Sequence, residues 1–382
     1  MGRARRWGLL EPLDATRHHL AWPESLLIVG PVGLGDALVV LPALRRIQRA
    51  AASTRLTWIG RAAYRSIATM MGTHAFRASD DLDGFDLHPF DAILSFADIG
   101  ATSLGAFDRV EAVPTRIGRA AAQARPRWFN HLVHTSRWGW PRHEAQRNLR
   151  LLLPFGDGAA ASPAELRGER PLEPAAAVLP DDLPTKGHVV LHPFSMGHGR
   201  EWPLPHWIEA AQVLTNANVP VVITGSAAER ERLAQAWPTP QRPANLVDAS
   251  GRLDIAQLSV LLHRARAMAA CSTGPLHLAA ALGTPALGLY APRKGVALDR
   301  WAPLGVAAVG VQAHRRCPHG RRCENGACRC MAALAAPNVA MALLPGAQPA
   351  LNIAPLSPYV LAAPAQATSP TLIDPAAPGD PT

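Results

Sequence analysis

The chain has 382 residues, 48% of them hydrophobic, which is enough for two domains of ordinary size. Its formal net charge is +9, and arginine carries nearly all the positive charge, since Lys186 and Lys294 are the only lysines. Such a surface suits phosphates, acidic lipids or nucleic acid without choosing among them.

Arg3, Arg5 and Arg6 make the N-terminus basic, but no compact apolar stretch with a small-residue cleavage site follows. Residues 1–23 lack periodicity and are expected to be loose. The apolar run at residues 26–44 resembles a membrane span superficially. It holds Asp36 near its centre, three glycines and two prolines, and a carboxylate in lipid is costly. A buried strand, a tight turn and a helix account for it better. A soluble cytoplasmic protein is therefore expected, resting at most on the inner membrane surface.

Residues 26–29 read as a buried strand and residues 37–51 as a helix, with Leu38, Leu41, Leu44 and Ile47 at helical spacing. Strands follow at 55–59 and 92–96. The alternation predicts a parallel sheet over residues 24–155. Residues 156–186, rich in Ala, Pro and Gly, read as a linker. Over 187–336 the alternation resumes, with strands at 189–192, 219–224, 267–271 and 286–290. Helices are expected at 204–214, 227–236, 255–264 and 275–282. Two such blocks predict an α/β protein of two Rossmann-like, doubly wound domains. Residues 337–382 hold ten prolines and no lysine or arginine, the composition of a disordered Pro/Ala-rich tail.

The first candidate site is GPVGLGD, residues 30–36, between the first strand and first helix. Gly33 and Gly35 allow close approach of a substrate. Asp36 falls at the helix start, where the dipole keeps it ionised as a general base must be; capping the helix is the equal alternative. The same glycines invite a dinucleotide-dependent oxidoreductase. The acid that would hold the ribose after the second strand is missing, with Ile59, Gly60 and Arg61 there instead.

The second site is STGPLHLAAALG, residues 272–283, which follows a strand and opens a helix. Ser272, Thr273 and Gly274 bring free N–H groups to a helix N-terminus, a geometry that binds phosphate without metal. His277 lies one turn in, facing the ligand or the core. In HPFSMGHGREWP, residues 192–203, Arg200 is placed to neutralise a diphosphate or to be a surface arginine. In TGSAAER, residues 224–230, Glu229 is placed to bond ribose hydroxyls or to sit solvated in the first turn.

Residues 116–150 carry eight arginines against Glu144 alone, interleaved with Trp128, Trp138 and Trp140. They suit an anionic glycolipid or membrane surface or a plain solvated face; no nucleic-acid motif accompanies them. Cys271 is isolated. Cys317, Cys323, Cys328 and Cys330 crowd together at spacings that match no standard zinc ribbon or finger, which leaves a metal there as a secondary reading.

In order and spacing these segments resemble glycosyltransferase family 9, the ADP-heptose:lipopolysaccharide heptosyltransferases, over about residues 26–331. The segments are LGDALVVLPAL, RIG at 116–118, HEAQRNLRLLLPFG at 143–156, REWP, TGSAAER, ASGRLDIAQLSVLL, STGPLHLAAALGTP and CRCM at 328–331. The resemblance implies a GT-B fold: an acceptor-binding domain (24–155), a linker (156–186) and a donor-binding domain (187–336) facing a central cleft. It implies inverting transfer without a cofactor or catalytic metal, from a nucleotide sugar, ADP-linked, to a glycolipid acceptor, with no nucleic acid involved. Asp36 matches the family's general base, Arg200 its phosphate-binding cation, Thr273 and Gly274 its donor-phosphate loop, and Glu229 its ribose position. Ser272 departs from the pattern: the family carries Asp there, near the donor sugar. That leaves the sugar open between heptose and another, and keeps a catalytically silent member as the rival.

Overall fold

The computed structural model describes residues 19–97, 110–120, 128–135, 143–168, 170–195, 201–293, 295–312, 329–346 and 359–361. Its first half starts with β1 (Ser25–Val29), whose residues from Leu26 on are buried. Two short helices follow, α1 (Leu34–Leu38) and α2 (Leu41–Ala50). The expected single helix is broken at Val39 and Val40. Pro42, in the first turn of α2, has no N–H to give to the preceding turn. The rest of this half is β2 (Arg55–Gly60), α3 (Arg65–Met70), β3 (Ala75–Ala78), β4 (Ala92–Ser95), β5 (Thr115–Arg119), β6 (His131–Val133) and α4 (Glu144–Leu149). The strands are all parallel, in the order β3-β2-β1-β4-β5-β6.

The second half repeats this winding, preceded by α5 (Pro163–Arg167). It comprises β7 (Val189–His192), α6 (Leu204–Asn216), β8 (Val221–Ile223), α7 (Ala227–Ala236), β9 (Leu246–Asp248), α8 (Ile255–Arg264) and β10 (Ala267–Cys271). Then come α9 (Gly274–Ala281), β11 (Ala286–Tyr290), α10 (Leu298–Trp301), β12 (Ala308–Gln312), α11 (Ala336–Met341) and β13 (Tyr359–Leu361). The order is β13-β12-β11-β10-β7-β8-β9, with only β13 antiparallel. In each sheet the winding reverses beside the first strand, between β1 and β4 and between β7 and β10. Doubly wound sheets bind ligands at the carboxyl ends of such strands.

The halves meet through apolar side chains. Leu34, Leu38 and Leu41 belong to one buried cluster with Leu276, Ala280 and Ala281. The segment joining them is packed along both. Arg46, on α2, bonds Glu165 at 2.6 and 2.9 Å, Asp157 at 3.2 Å and the carbonyl of Ala159 at 2.7 Å. Farther on, the Leu172 N–H donates to the Ala281 carbonyl at 2.7 Å.

Three expectations change here. The chain before β1 is anchored from Leu20, whose N–H donates to the Pro154 carbonyl, and Trp22 stacks on Phe155 at 4.5 Å. The disordered tail does not begin at 337: Val339 and Ala340 of α11 are fully buried against α6 in the second core. Trp128 is core rather than surface. Among the described residues no helix is long and apolar enough to cross a membrane.

Candidate active site

The loop after β1 delivers Asp36 to the first turn of α1, where its side chain is exposed. Gly33 is the N-cap, and its carbonyl accepts from the Ala37 N–H at 2.9 Å. The Asp36 carboxylate folds over Gly33 so closely that a Cβ there would lie 2.3 Å from Oδ2. The first-turn position gives the carboxylate the positive end of the helix.

The loop after β10 delivers Ser272, Thr273 and Gly274, all partly exposed, to the start of α9. Pro275 stands in the first turn, where it forfeits no helical hydrogen bond. The first-turn N–H groups of Gly274 and Leu276 have no carbonyl one turn earlier to receive them. Thr273 Oγ1 is buried and without a hydrogen-bond partner among the described residues. A buried hydroxyl in that condition beside a helix N-terminus suits a ligand oxygen.

These two loops come together. A Cβ on Gly35 would stand 3.6 Å from the Gly274 Cα and 3.1 Å from His277 Cδ2, and one on Gly274 would stand 2.7 Å from Leu34 Cβ. The acid-bearing turn of one half thus sits against the first turn of α9 in the other.

His277 is buried, with its ring edge-on to Trp301 at 6.3 Å. Burial, reinforced by the nearby His143, drives its pKa down to about 3, so it is neutral at physiological pH. It packs at the junction and supplies no charge. Tyr290, fully buried, donates to the Trp301 carbonyl and lies within hydrogen-bonding reach of Ser272.

At the neighbouring switch-point strand, His192 meets Thr224 Oγ1 at 3.0 Å. Burial lowers its pKa to about 4, against the pull of Glu229 and Glu201. Glu229 is not solvated: it is buried in a capping box, accepting from the Ser226 N–H at 2.7 Å while its own N–H reaches Ser226 Oγ. Arg200 lies outside the described residues. Its neighbour Glu201 accepts from the Ser195 N–H at 2.9 Å and from Arg232 at 2.7 Å.

The arginine-rich segment is not a surface patch where it is described. Arg116 bonds the carbonyls of Val113 and Trp128. Arg119 and Arg147 are buried on Glu144, at 2.7 and 2.6 Å. Arg125, Arg127, Arg137, Arg142, Trp138 and Trp140 lie outside the described residues. So do Cys317, Cys323 and Cys328, while Cys330 is buried in the second core. Sequence reasoning did not single out His143, Glu144 or Arg300. Only the HEAQRNL segment marked the first two, and nothing in the sequence pairs them with Arg300.

A sequence profile described as glycosyltransferase family 9 (heptosyltransferase) matches residues 105–328. Lipopolysaccharide heptosyltransferase 1 of Pseudomonas aeruginosa is 38% identical over 94 residues, 24% of this chain and 25% of that one. The matched stretches span between 25% and 31% of the curated relatives' own lengths. The structure of ADP-heptose LPS heptosyltransferase II of E. coli superposes with a TM-score of 0.65 at 18% identity, covering 84% of this chain and 97% of that one. E. coli heptosyltransferase WaaC with ADP gives 0.58 at 17%, covering 83% and 98%. These structural likenesses are likenesses of fold, and the two doubly wound halves have the GT-B arrangement of those structures.

Proposed function

The chain belongs to glycosyltransferase family 9, and on that premise we propose that it is an inverting glycosyltransferase, moving heptose from ADP-heptose onto a lipopolysaccharide core or related glycolipid. The observation that carries this reading is the approach of the Asp36-bearing turn to the N-terminus of α9 at Gly35 and Gly274. That approach sets a carboxylate and an anion-binding turn on two sides of one reaction centre. The curated relatives are lipopolysaccharide heptosyltransferases, which supports both the sugar and the acceptor class.

The reaction is a single displacement. Asp36 takes the proton of an acceptor hydroxyl as its oxygen forms a bond to the anomeric carbon. The bond from that carbon to the diphosphate oxygen breaks, and the nucleoside diphosphate leaves with the electron pair. Its negative charge is met by the N–H groups at the start of α9, the Thr273 hydroxyl and Arg200. Glu229 is assigned to the donor ribose, the position it matches in the family. In this reading the transfer uses no catalytic metal, the leaving group being compensated by the helix terminus and by Arg200. Ser272 lies beside the donor sugar, where it selects the sugar.

The test is Asp36→Asn. The variant keeps the wild-type thermal shift with ADP and loses sugar transfer by about 10²–10⁴-fold. Full transfer by the variant would remove Asp36 as base. A panel of nucleotide sugars, scored by transfer, decides between heptose and another sugar; no transfer from any of them would favour a silent member.

A further inference from the structure

Glu144 is a buried carboxylate that the mechanism above leaves unused. It is 6% exposed and takes three guanidinium groups: Arg119 at 2.7 Å, Arg147 at 2.6 Å, and Arg300 at 2.9 and 3.0 Å. Burial alone would push its carboxyl up, but the three cations outweigh that and hold it at about 2. Arg119 and Arg147 belong to the first half; Arg300 comes from α10 of the second. A second bond crosses beside it, from His143 Nε2 to the Ala302 carbonyl at 3.0 Å. Because His143 Nδ1 accepts from the Ala145 N–H, Nε2 carries the proton and donates.

The connections continue in both directions. On the first side, Arg119 bonds Asn148 Oδ1, and Asn148 Nδ2 donates to the Val39 carbonyl at 3.0 Å. Val39 is the C-cap of α1, the helix that bears Asp36. On the second side, the Trp301 carbonyl next to Arg300 receives the Tyr290 hydroxyl, which reaches Ser272 at the donor edge. Bonds thus run from Glu144 through Arg119 and Asn148 to Val39 on one side, and on the other Arg300 adjoins the Trp301 carbonyl that holds the Tyr290 hydroxyl.

We propose that Glu144 is a positioning residue, which by holding Arg300 of one half and Arg119 of the other fixes α1, and with it Asp36, in register with the donor edge. The inference rests on the transfer reaction proposed above for its kinetic consequence, while the latch itself is a property of the fold. A purely structural ion pair here would tie two cations of its own half. Glu144 instead spends one oxygen on Arg119 and the other on Arg147 and Arg300. Arg300, the cation from the other half, is also the most accessible of the three, at 15% against 7% and 6%.

The test uses the full chain with Arg300→Gln, Arg300→Lys and Glu144→Asp. Arg300→Gln leaves the Arg119–Glu144–Arg147 group whole, so it is expected to unfold cooperatively. Its small-angle scattering profile should report a larger radius of gyration than wild type. Its kcat for transfer should fall about tenfold, with the ADP dissociation constant unchanged within about twofold. Arg300→Lys, which keeps the charge but not the fork, should recover part of the rate, and Glu144→Asp should behave like Arg300→Gln more mildly. An Arg300→Gln protein with wild-type scattering and wild-type kcat would overturn the proposal, as would a fall in melting temperature without any change in kcat. If wild type transfers no sugar, the enzyme reading fails, and the scattering comparison alone then decides whether the latch exists. Should Arg300→Gln fail to fold, Arg300→Lys carries the comparison with the same expected directions.

Discussion

Gly35 and Gly274 face each other where the two halves meet, so closely that a methyl on Gly35 would touch the Gly274 Cα at 3.6 Å. Neither glycine has a positive φ, so neither is required by backbone conformation. Each is required by what faces it. A Cβ on Gly274 would come to 2.7 Å from Leu34 Cβ, closer than side chains tolerate, whereas one on Gly35 meets only the rim of His277 at 3.1 Å. Gly274→Ala should therefore force the halves apart at the reaction centre and cost about 1–3 kcal/mol in stability, with kcat lowered more than tenfold. Gly35→Ala should cost less on both counts. The Leu34→Ala, Gly274→Ala double variant should recover only the part due to Leu34 Cγ and Cδ2, at 2.9 and 3.0 Å, because alanine keeps the Cβ, a coupling measurable by urea unfolding and transfer kinetics in one cycle.

Arg46 and Arg49 both reach Glu165, yet they are not equivalent. Arg46 is 11% exposed and fastens the segment between the halves through Asp157, Ala159 and Glu165; Arg49 is 55% exposed and makes one contact. Removing a partly buried hub strands Asp157 and the Ala159 carbonyl and leaves Glu165 to Arg49 alone, whereas an exposed pair is screened by solvent. Arg46→Ala should destabilise by about 2–3 kcal/mol and Arg49→Ala by less than about 0.5 kcal/mol, read from denaturant midpoints at constant slope. Equal effects would mean the strap is not held where Arg46 places it.

The sequence made the strands legible because each is a short run of apolar residues buried on both faces, as at Leu26–Val29 and 267–271. It also made both site turns legible, since glycines between a strand and a helix mark the carboxyl edge wherever they occur. Two kinds of feature were not. The arginines of 116–150 looked like a surface because charge counts ignore pairing; only the fold shows Arg119 and Arg147 sharing Glu144 with an arginine 156 residues away. For Glu229 the solvated alternative stayed open because its capping partner, Ser226, is a commonplace residue that does not announce a buried capping box. Pairings across long sequence separations carry no local periodicity, so composition misreads them as surface.

The tail gives a separable prediction. Its prolines suggested disorder, but Pro337 stands in the first turn of α11, a position that favours helix starts. Val339, Ala340 and Leu343 then close the second core, and the Trp202 indole donates to the Leu334 carbonyl at 3.0 Å. Truncation after Gly346 removes only the three-residue edge strand β13 from the second sheet and should lower the melting temperature by less than about 3 °C. Truncation after Met331 should remove the helix and the indole's acceptor and lower it by more than about 5 °C, since several buried side chains are lost together.

The acid limb of stability separates two groups by pH. His277 is held neutral when folded, with its pKa down at about 3 from 6.5. The unfolded chain takes up a proton near 6.5 that the folded chain refuses, so stability falls as pH drops below that value, by about 1.4 kcal/mol per unit. His192, at about 4, acts in the same direction. Glu144 is the opposite chemistry with the same outcome lower down: its pKa is depressed from 4.5 to about 2, so its contribution is complete above 4.5 and is lost as pH falls through 2. Urea unfolding as a function of pH should therefore show a slope between 6.5 and 4.5 due to histidine and a further loss beneath it. His277→Gln should flatten the upper window by about one proton and leave the lower one unchanged. An unchanged upper slope in that variant would mean His277 is solvated, and with it that the halves do not close over α9 as Gly35 and Gly274 do here.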